Sequence, residues 1–271
     1  MVPQARETVV VKRPAALITG GTSGIGAAYA EAFAARGYDL LLVGLESGTD
    51  VEALADSLEK AHGVSVVAIR ADLSKEREIR ALSRFAERRG GVEVLVNCAG
   101  FGLGESFEGA DLKREDAMLK VHCLAPMNFM RSIIPQMRKR GKGVIINVAS
   151  LSGFLPMARS SVYGSTKAFL ISLTESLYLE LGGSGIKVQA LAPGFVKSHF
   201  HDAVKSVENR ARKYRFVKWM TARQVVEFSL KNLQKGKVVC IPGWGNRLLC
   251  WLSRVTPRSL YYRLCLNAGR K

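Results

Sequence analysis

Ala15-Ala16-Leu17-Ile18-Thr19-Gly20-Gly21-Thr22-Ser23-Gly24-Ile25-Gly26 decides the fold of this 271-residue chain. Residues 15–18 read as a short buried strand, the glycines permit a sharp turn, and the alanine-rich stretch to residue 36 reads as a helix. In such a strand–turn–helix setting, backbone amides at the positive end of the helix receive a pyrophosphate. Thr19, Gly20, Thr22, Ser23, Gly24, Ile25 and Gly26 are therefore candidate ligand-binding residues. A plain tight turn is the alternative reading of the same glycines.

Outward from this unit the pattern repeats. Strands are expected at 39–43, 64–70, 93–97, 144–148 and 187–191, with helices at 51–62, 76–89, somewhere in 113–140, and at 162–181. A helix between each pair of strands forces the strands to run parallel, because the crossover must cover a face of the sheet. The predicted fold class is a doubly wound (Rossmann) α/β domain, one parallel sheet with helices on both faces. After Pro193-Gly194 the regularity weakens, with a helix at 221–235 and a last strand at 238–241. We expect an N-terminal extension over 1–12, one domain over 13–243 with a substrate-binding segment at 195–220, and a basic amphipathic tail of one or two short helices over 244–271, broken near Pro257.

Tyr163-Gly164-Ser165-Thr166-Lys167 places a phenol and an ammonium at i and i+4 on one helical face, about 5–6 Å apart at Cβ. The cation is expected to favour the phenolate and lower its pKa; an incidental pair on a solvated face is the bland alternative. Ser150 ends a strand thirteen residues earlier, and the carboxyl ends of parallel strands are where ligands bind in such folds. Its hydroxyl either meets a substrate oxygen beside Tyr163 or caps a turn.

These features together resemble the short-chain dehydrogenase/reductase family over about residues 13–200. The motifs that carry the resemblance are the turn at 19–26, Asp72-Leu73, Asn97-Cys98-Ala99-Gly100, Ser150, the Tyr163/Lys167 pair and Pro193-Gly194. The resemblance implies a nicotinamide-dependent oxidoreductase in which Tyr163 is the general acid or base, Lys167 holds the ribose and Ser150 polarises the substrate oxygen. It further implies that Asp72 and Leu73 meet the adenine, that Asn97, Ala99 and Gly100 support the cofactor, and that Pro193, Gly194, Val196 and Ser198 border the nicotinamide. The family's helical Asn, which helps hold a proton-relaying water, stands here as His122 in Val121-His122. An imidazole can bind water too, or simply pack. The second strand ends Gly44-Leu45-Glu46, with neither the family's NAD-type acid nor its NADP-type arginine; NADP is the expected cofactor and NAD the alternative.

Net charge is +17. Residues 195–271 hold 17 of the basic side chains and three of the acidic ones. A field this one-sided attracts anions. With Trp, Leu and Arg at helical spacing, the tail at 244–271 is expected to contact a membrane peripherally, or else a second subunit. No recognised nucleic-acid motif accompanies the charge, so a catalytically retired scaffold binding an anionic membrane or nucleic acid is the competing reading. The five cysteines lack close pairing and suit a reducing cytoplasm. His199 and His201 have no partners at metal-ligand spacing, so no metal is expected. The resemblance implies that the segment after Pro193-Gly194 shapes the substrate pocket, where Phe195, Phe200, Phe216 and Trp219 would suit a hydrophobic carbonyl or alcohol substrate or else are simply core; it also implies a homo-oligomer.

Overall fold

The structure, a computed structural model, describes residues 13–45, 51–197 and 219–269. β1 (Ala15–Thr19), β2 (Asp39–Gly44), β3 (Val66–Arg70), β4 (Val92–Asn97), β5 (Gly143–Val148), β6 (Ile186–Leu191) and β9 (Val239–Cys240) form one seven-stranded sheet. Its order is β3-β2-β1-β4-β5-β6-β9, every pairing parallel. The order reverses between β1 and β4, so the crevice outside the carboxyl ends of these two strands is the expected ligand site of the sheet. Two residues each of β7 (Val196–Lys197) and β8 (Met220–Thr221) pair separately.

The strands are continuous apolar runs because both faces are covered. Ile18, Leu40, Leu42 and Val96 face α1 (Gly24–Ala34) and α7 (Ala222–Gln234), where Tyr29, Phe33, Val225 and Leu230 complete one core layer. Their strand neighbours Leu17, Leu41, Val43 and Leu95 point the other way, to Ile79 and Leu82 of α3 (Glu76–Arg89) and to Phe129 and Ile133 of α5 (Ala125–Arg140). α2 (Val51–His62) and α6 (Ser161–Glu180) fill the remaining crossovers. Among the described residues no helix is long and apolar enough to cross a membrane.

The single helix expected within 113–140 is two. α4 (Leu112–Leu119) is joined to α5 by a π-helical turn, Lys120–Leu124, closed by the Ala125 amide on the Lys120 carbonyl. Pro126 lacks an N–H and cannot serve the carbonyl four residues back, that of His122, so the ladder opens here. Beyond β9 the tail forms α8 (Trp244–Val255) and α9 (Arg258–Gly269), interrupted at Pro257 as its chemistry requires.

Candidate active site

The turn after β1 is built from contacts only glycine allows. Gly20 has φ +63°, and a Cβ there would lie 2.9 Å from the Ala99 Cα; one at Gly26 would lie 1.9 Å from the Gly20 carbonyl oxygen. The backbone of residues 20–26 is thereby folded against the loop after β4, and it leads into the start of α1, whose first amides have no partner within the helix. Thr19 fastens the two loops: its Oγ1 accepts from the Cys98 and Ala99 amides at 3.1 and 3.2 Å. Thr22, Ser23, Gly24 and Ile25 complete this turn into α1.

At the next strand ends, Asn97 donates from Nδ2 to Asn147 Oδ1 at 2.8 Å, tying β4 to β5 inside the core. Its own Oδ1 is buried without a hydrogen-bond partner among the described residues. Asp72 accepts from the Ser74 amide and hydroxyl at 2.9 and 2.7 Å. Burial alone would raise its carboxyl, but these bonds and Lys75 hold it below the usual range. Leu73 is buried in the core layer of α3. The Pro193 carbonyl accepts from the Leu151 amide at 3.1 Å, and Val196 is buried. Asn246 of α8 lies against Gly194. Ser198, Glu46, His199, His201, Phe200 and Phe216 lie outside the described residues.

Ser150, Tyr163 and Lys167 come together beside these loops. The Tyr163 phenol hydrogen-bonds with the Ser150 hydroxyl, and Ser150 Oγ also accepts from the Ser152 amide at 3.2 Å. The turn-cap reading of Ser150 is thus seen, and the same hydroxyl stands beside the phenol. Lys167 is buried; its Nζ donates to the Val148 carbonyl at 3.0 Å and lies 5.6 Å from the Tyr163 ring centroid. Burial pushes the Lys167 amine down to about 8.

The expected acidification of the phenol by this amine is not found. Burial pushes Tyr163 up to about 12, with the Ser150 hydrogen bond opposing it. The reason is geometric: the amine is directed at a β5 carbonyl and sits over the ring, and burial disfavours both charged forms at once.

His122 is fully buried in the π-helical turn. The Phe101 amide donates to its Nε2 at 3.0 Å, which fixes the neutral Nδ1–H tautomer. Nδ1 then donates to Thr166 Oγ1 at 2.9 Å, and the Thr166 hydroxyl donates to the Tyr163 carbonyl at 2.8 Å. Burial first, and Lys167 second, keep the imidazole well below its ordinary pKa. Both ring nitrogens are occupied by protein groups. Gly100 makes room for this arrangement, since a Cβ there would lie 2.8 Å from His122 Nε2 and 3.5 Å from Lys167 Nζ.

Three participants escape the sequence reading. Thr166 and Asn147 carry no signal of their own, being small polar residues inside a helix and a strand. Arg70 pairs in register with Gly44 at the outer end of β3 and β2, and contacts Glu52 at 3.4 Å. Its signal, a basic residue level with the end of the second strand, exists only once the register is known. A Cβ at Gly44 would lie 2.6 Å from Thr22 Cγ2, so the Thr22 side chain would have to turn away.

Known proteins place this architecture. The short chain dehydrogenase family model matches residues 14–209. The D-beta-hydroxybutyrate dehydrogenase of Rhizobium meliloti is 31% identical over 228 residues, 83% of this chain and 86% of that one. A short-chain dehydrogenase from Sphingobium yanoikuyae in complex with NADPH superposes with TM-score 0.78 at 32% identity, over 85% of this chain and 88% of that chain. The bulky-bulky ketone specific alcohol dehydrogenase from Comamonas testosteroni gives TM-score 0.74 at 30% identity, over 84% and 86%.

Proposed function

The chain belongs to the short-chain dehydrogenase family, an enzyme family of NAD(P)-binding oxidoreductases, and from that premise we propose a reductase or dehydrogenase that interconverts a lipophilic ketone and its secondary alcohol, with Tyr163 as the acid–base group. The observation that carries it is the half-buried Tyr163–Ser150 hydrogen bond with buried Lys167 alongside, beside a glycine turn shaped for a dinucleotide.

The residues present fit such a cofactor, since the turn at Gly20 and Gly26 has no room for a side chain and leaves helix-terminal amides free for phosphate. When bound, the nicotinamide supplies or accepts the hydride. In the reducing direction Tyr163, protonated at neutral pH, gives its phenolic proton to the carbonyl oxygen as the carbonyl carbon takes the hydride, and the product is the alcohol. Ser150 holds the same oxygen by a second hydrogen bond. Lys167 supplies a charge that stabilises the phenolate left behind. His122 is a positioning residue in this scheme: its two hydrogen bonds join the loop after β4 to the catalytic helix.

NADP(H) is the favoured cofactor. Gly44 excludes an acid at the second strand end, and the exposed Arg70 alongside offers a guanidinium to a ribose phosphate. Leu103, Phe107, Met118 and Val162 share a small cavity with Tyr163, together with Glu105, Glu115 and Arg159, and Phe195 stacks on Trp219 at 5.3 Å; the apolar members are what favours an apolar substrate. The reading includes a cytoplasmic setting with five free cysteines and, from the family, a homo-oligomer. The test is a screen of hydrophobic ketones and alcohols against NADPH and NADH, following reduced nicotinamide by absorbance. Turnover of bulky apolar ketones with NADPH is expected; no turnover with any of them under either cofactor sinks the assignment.

A further inference from the structure

α8 is packed with its polar side inward. Asn246, Cys250 and Ser253 face the body of the protein and are buried, while Trp244 (73% exposed), Leu248, Trp251 (57%), Leu252 and Val255 stand outward against the described residues. At about 100° per residue these five fall in one stripe about 100° wide, and Arg247 and Arg254 lie within about 60° of its Trp251 edge. A helix seated on a protein core shows the reverse arrangement. The stripe is therefore shaped for an apolar phase outside the chain.

The charge identifies that phase. After Glu227 the chain has no acidic residue, and Arg247, Arg254, Arg258 and Arg263 all lie in the two tail helices. An isologous contact with a second copy would set this patch against itself, cation facing cation. A surface of anionic phospholipid answers both features: its acyl boundary takes the Trp and Leu side chains, and its phosphates meet the arginines at the stripe edge.

We propose that α8 lies flat on an anionic lipid bilayer, with its Trp244–Val255 face in the interface and Arg247 and Arg254 on lipid phosphates. The placement has a consequence for the site. Arg254 packs over the Phe154 ring at 5.1 Å, and the Tyr261 hydroxyl donates to the Pro156 carbonyl at 3.0 Å, both within the loop that runs from Ser150 to Tyr163. A lipid-bound α8 holds that loop at the membrane, where an apolar ketone is dissolved. This last step rests on the oxidoreductase reading; the lipid contact does not.

The experiment uses the full chain, flotation and tryptophan emission with vesicles of phosphatidylcholine plus phosphatidylglycerol, and vesicles of phosphatidylcholine alone. The chain is expected to float with the mixed vesicles, with a blue shift as Trp244 and Trp251 leave water, and to be released by salt. Leu248→Glu/Trp251→Glu, at exposed positions away from the catalytic groups, is expected to lose binding by at least about ten-fold while keeping its thermal midpoint and its activity on a water-soluble ketone. Absence of flotation by the intact chain overturns the proposal. So does equal binding by the double variant, or a dimer in sedimentation velocity that the double variant splits, which would assign the stripe to a second copy. An emission already blue and unmoved by vesicles would assign it to another segment of the chain and also overturn it. Because lipid binding is read without turnover, either reading can fail while the other stands.

Discussion

Tyr163 and Lys167 are adjusted in opposite directions by the same cause. Burial raises the phenol to about 12 and lowers the amine to about 8, so at neutral pH the phenol is protonated and the amine still mostly charged. A protonated phenol is ready to donate in carbonyl reduction. We expect kcat/KM for reduction to fall as pH rises through about 8, where Lys167 loses its charge; a pH–rate profile checks this, and a flat profile there contradicts it. The stability consequence has the other sign. The unfolded lysine keeps its proton up to about 10.5 while the folded one has lost it, so the Lys167 contribution to stability should rise with pH from about 8. Above about 9 the thiols of Cys98, Cys123, Cys240 and Cys250, raised by burial to about 11 to 12, act in the opposite sense, so thermal midpoints between pH 8 and 9, compared with those of Lys167→Met, measure the lysine. His122 is expected to contribute no ionisation near neutrality. Replacing it with Phe should cost about 1–3 kcal/mol, because the Phe101 amide and Thr166 lose a buried partner, read as a lowered thermal midpoint. At this scale the sequence brought Ser150, Tyr163 and Lys167 together, as the structure has them, but misjudged their electrostatics: spacing puts an amine near a phenol, and only burial and direction decide which charge state each prefers. Nor could spacing reveal that both His122 nitrogens are committed, since their partners lie 21 and 44 residues away.

Elements follow local chemistry where punctuation is strong. Most of the expected strands and helices of the sheet lie within two residues of those observed, because glycines end the helices and continuous β-branched runs mark buried parallel strands. The interruption between α4 and α5 was hidden, since a π-helical turn keeps helical composition and betrays itself only through Pro126. The glycine turn is the element most sensitive to change. Gly26→Ala would drive a methyl into the Gly20 carbonyl, so we expect a destabilisation of about 1–3 kcal/mol or more together with loss of NADPH binding, followed by melting and by nicotinamide fluorescence. Retained affinity in a folded variant would remove the turn from the cofactor site. At the strand ends, Arg70→Ala should weaken NADPH more than NADH in parallel titrations; equal loss would assign the preference elsewhere.

Over the whole molecule, fold and charge do separate work. The sheet reverses its order at β1 and β4 and so sets one crevice, around which every motif at 19–26, 97–100, 150, 163–167 and 193–194 gathers. That convergence was legible because each motif sits at a strand end, and strand ends share one edge. The charge was legible as an excess, but its orientation was not: amphipathic spacing in 244–255 cannot say which stripe faces the body. The field of a chain with net charge +17 should speed the approach of an anionic dinucleotide, so the association rate of NADPH is expected to fall as ionic strength rises. Stopped-flow fluorescence over a salt series measures that slope.

In the proposed mechanism one phenolic oxygen moves the proton while the dinucleotide moves the hydride. The direct measurement compares the intact enzyme with Tyr163→Phe, recording NADPH consumption on a bulky apolar ketone and NADPH affinity in the same preparations. Turnover is predicted to drop by at least about 10²-fold with affinity almost unchanged; a Phe variant that reduces the ketone at the original rate would contradict it.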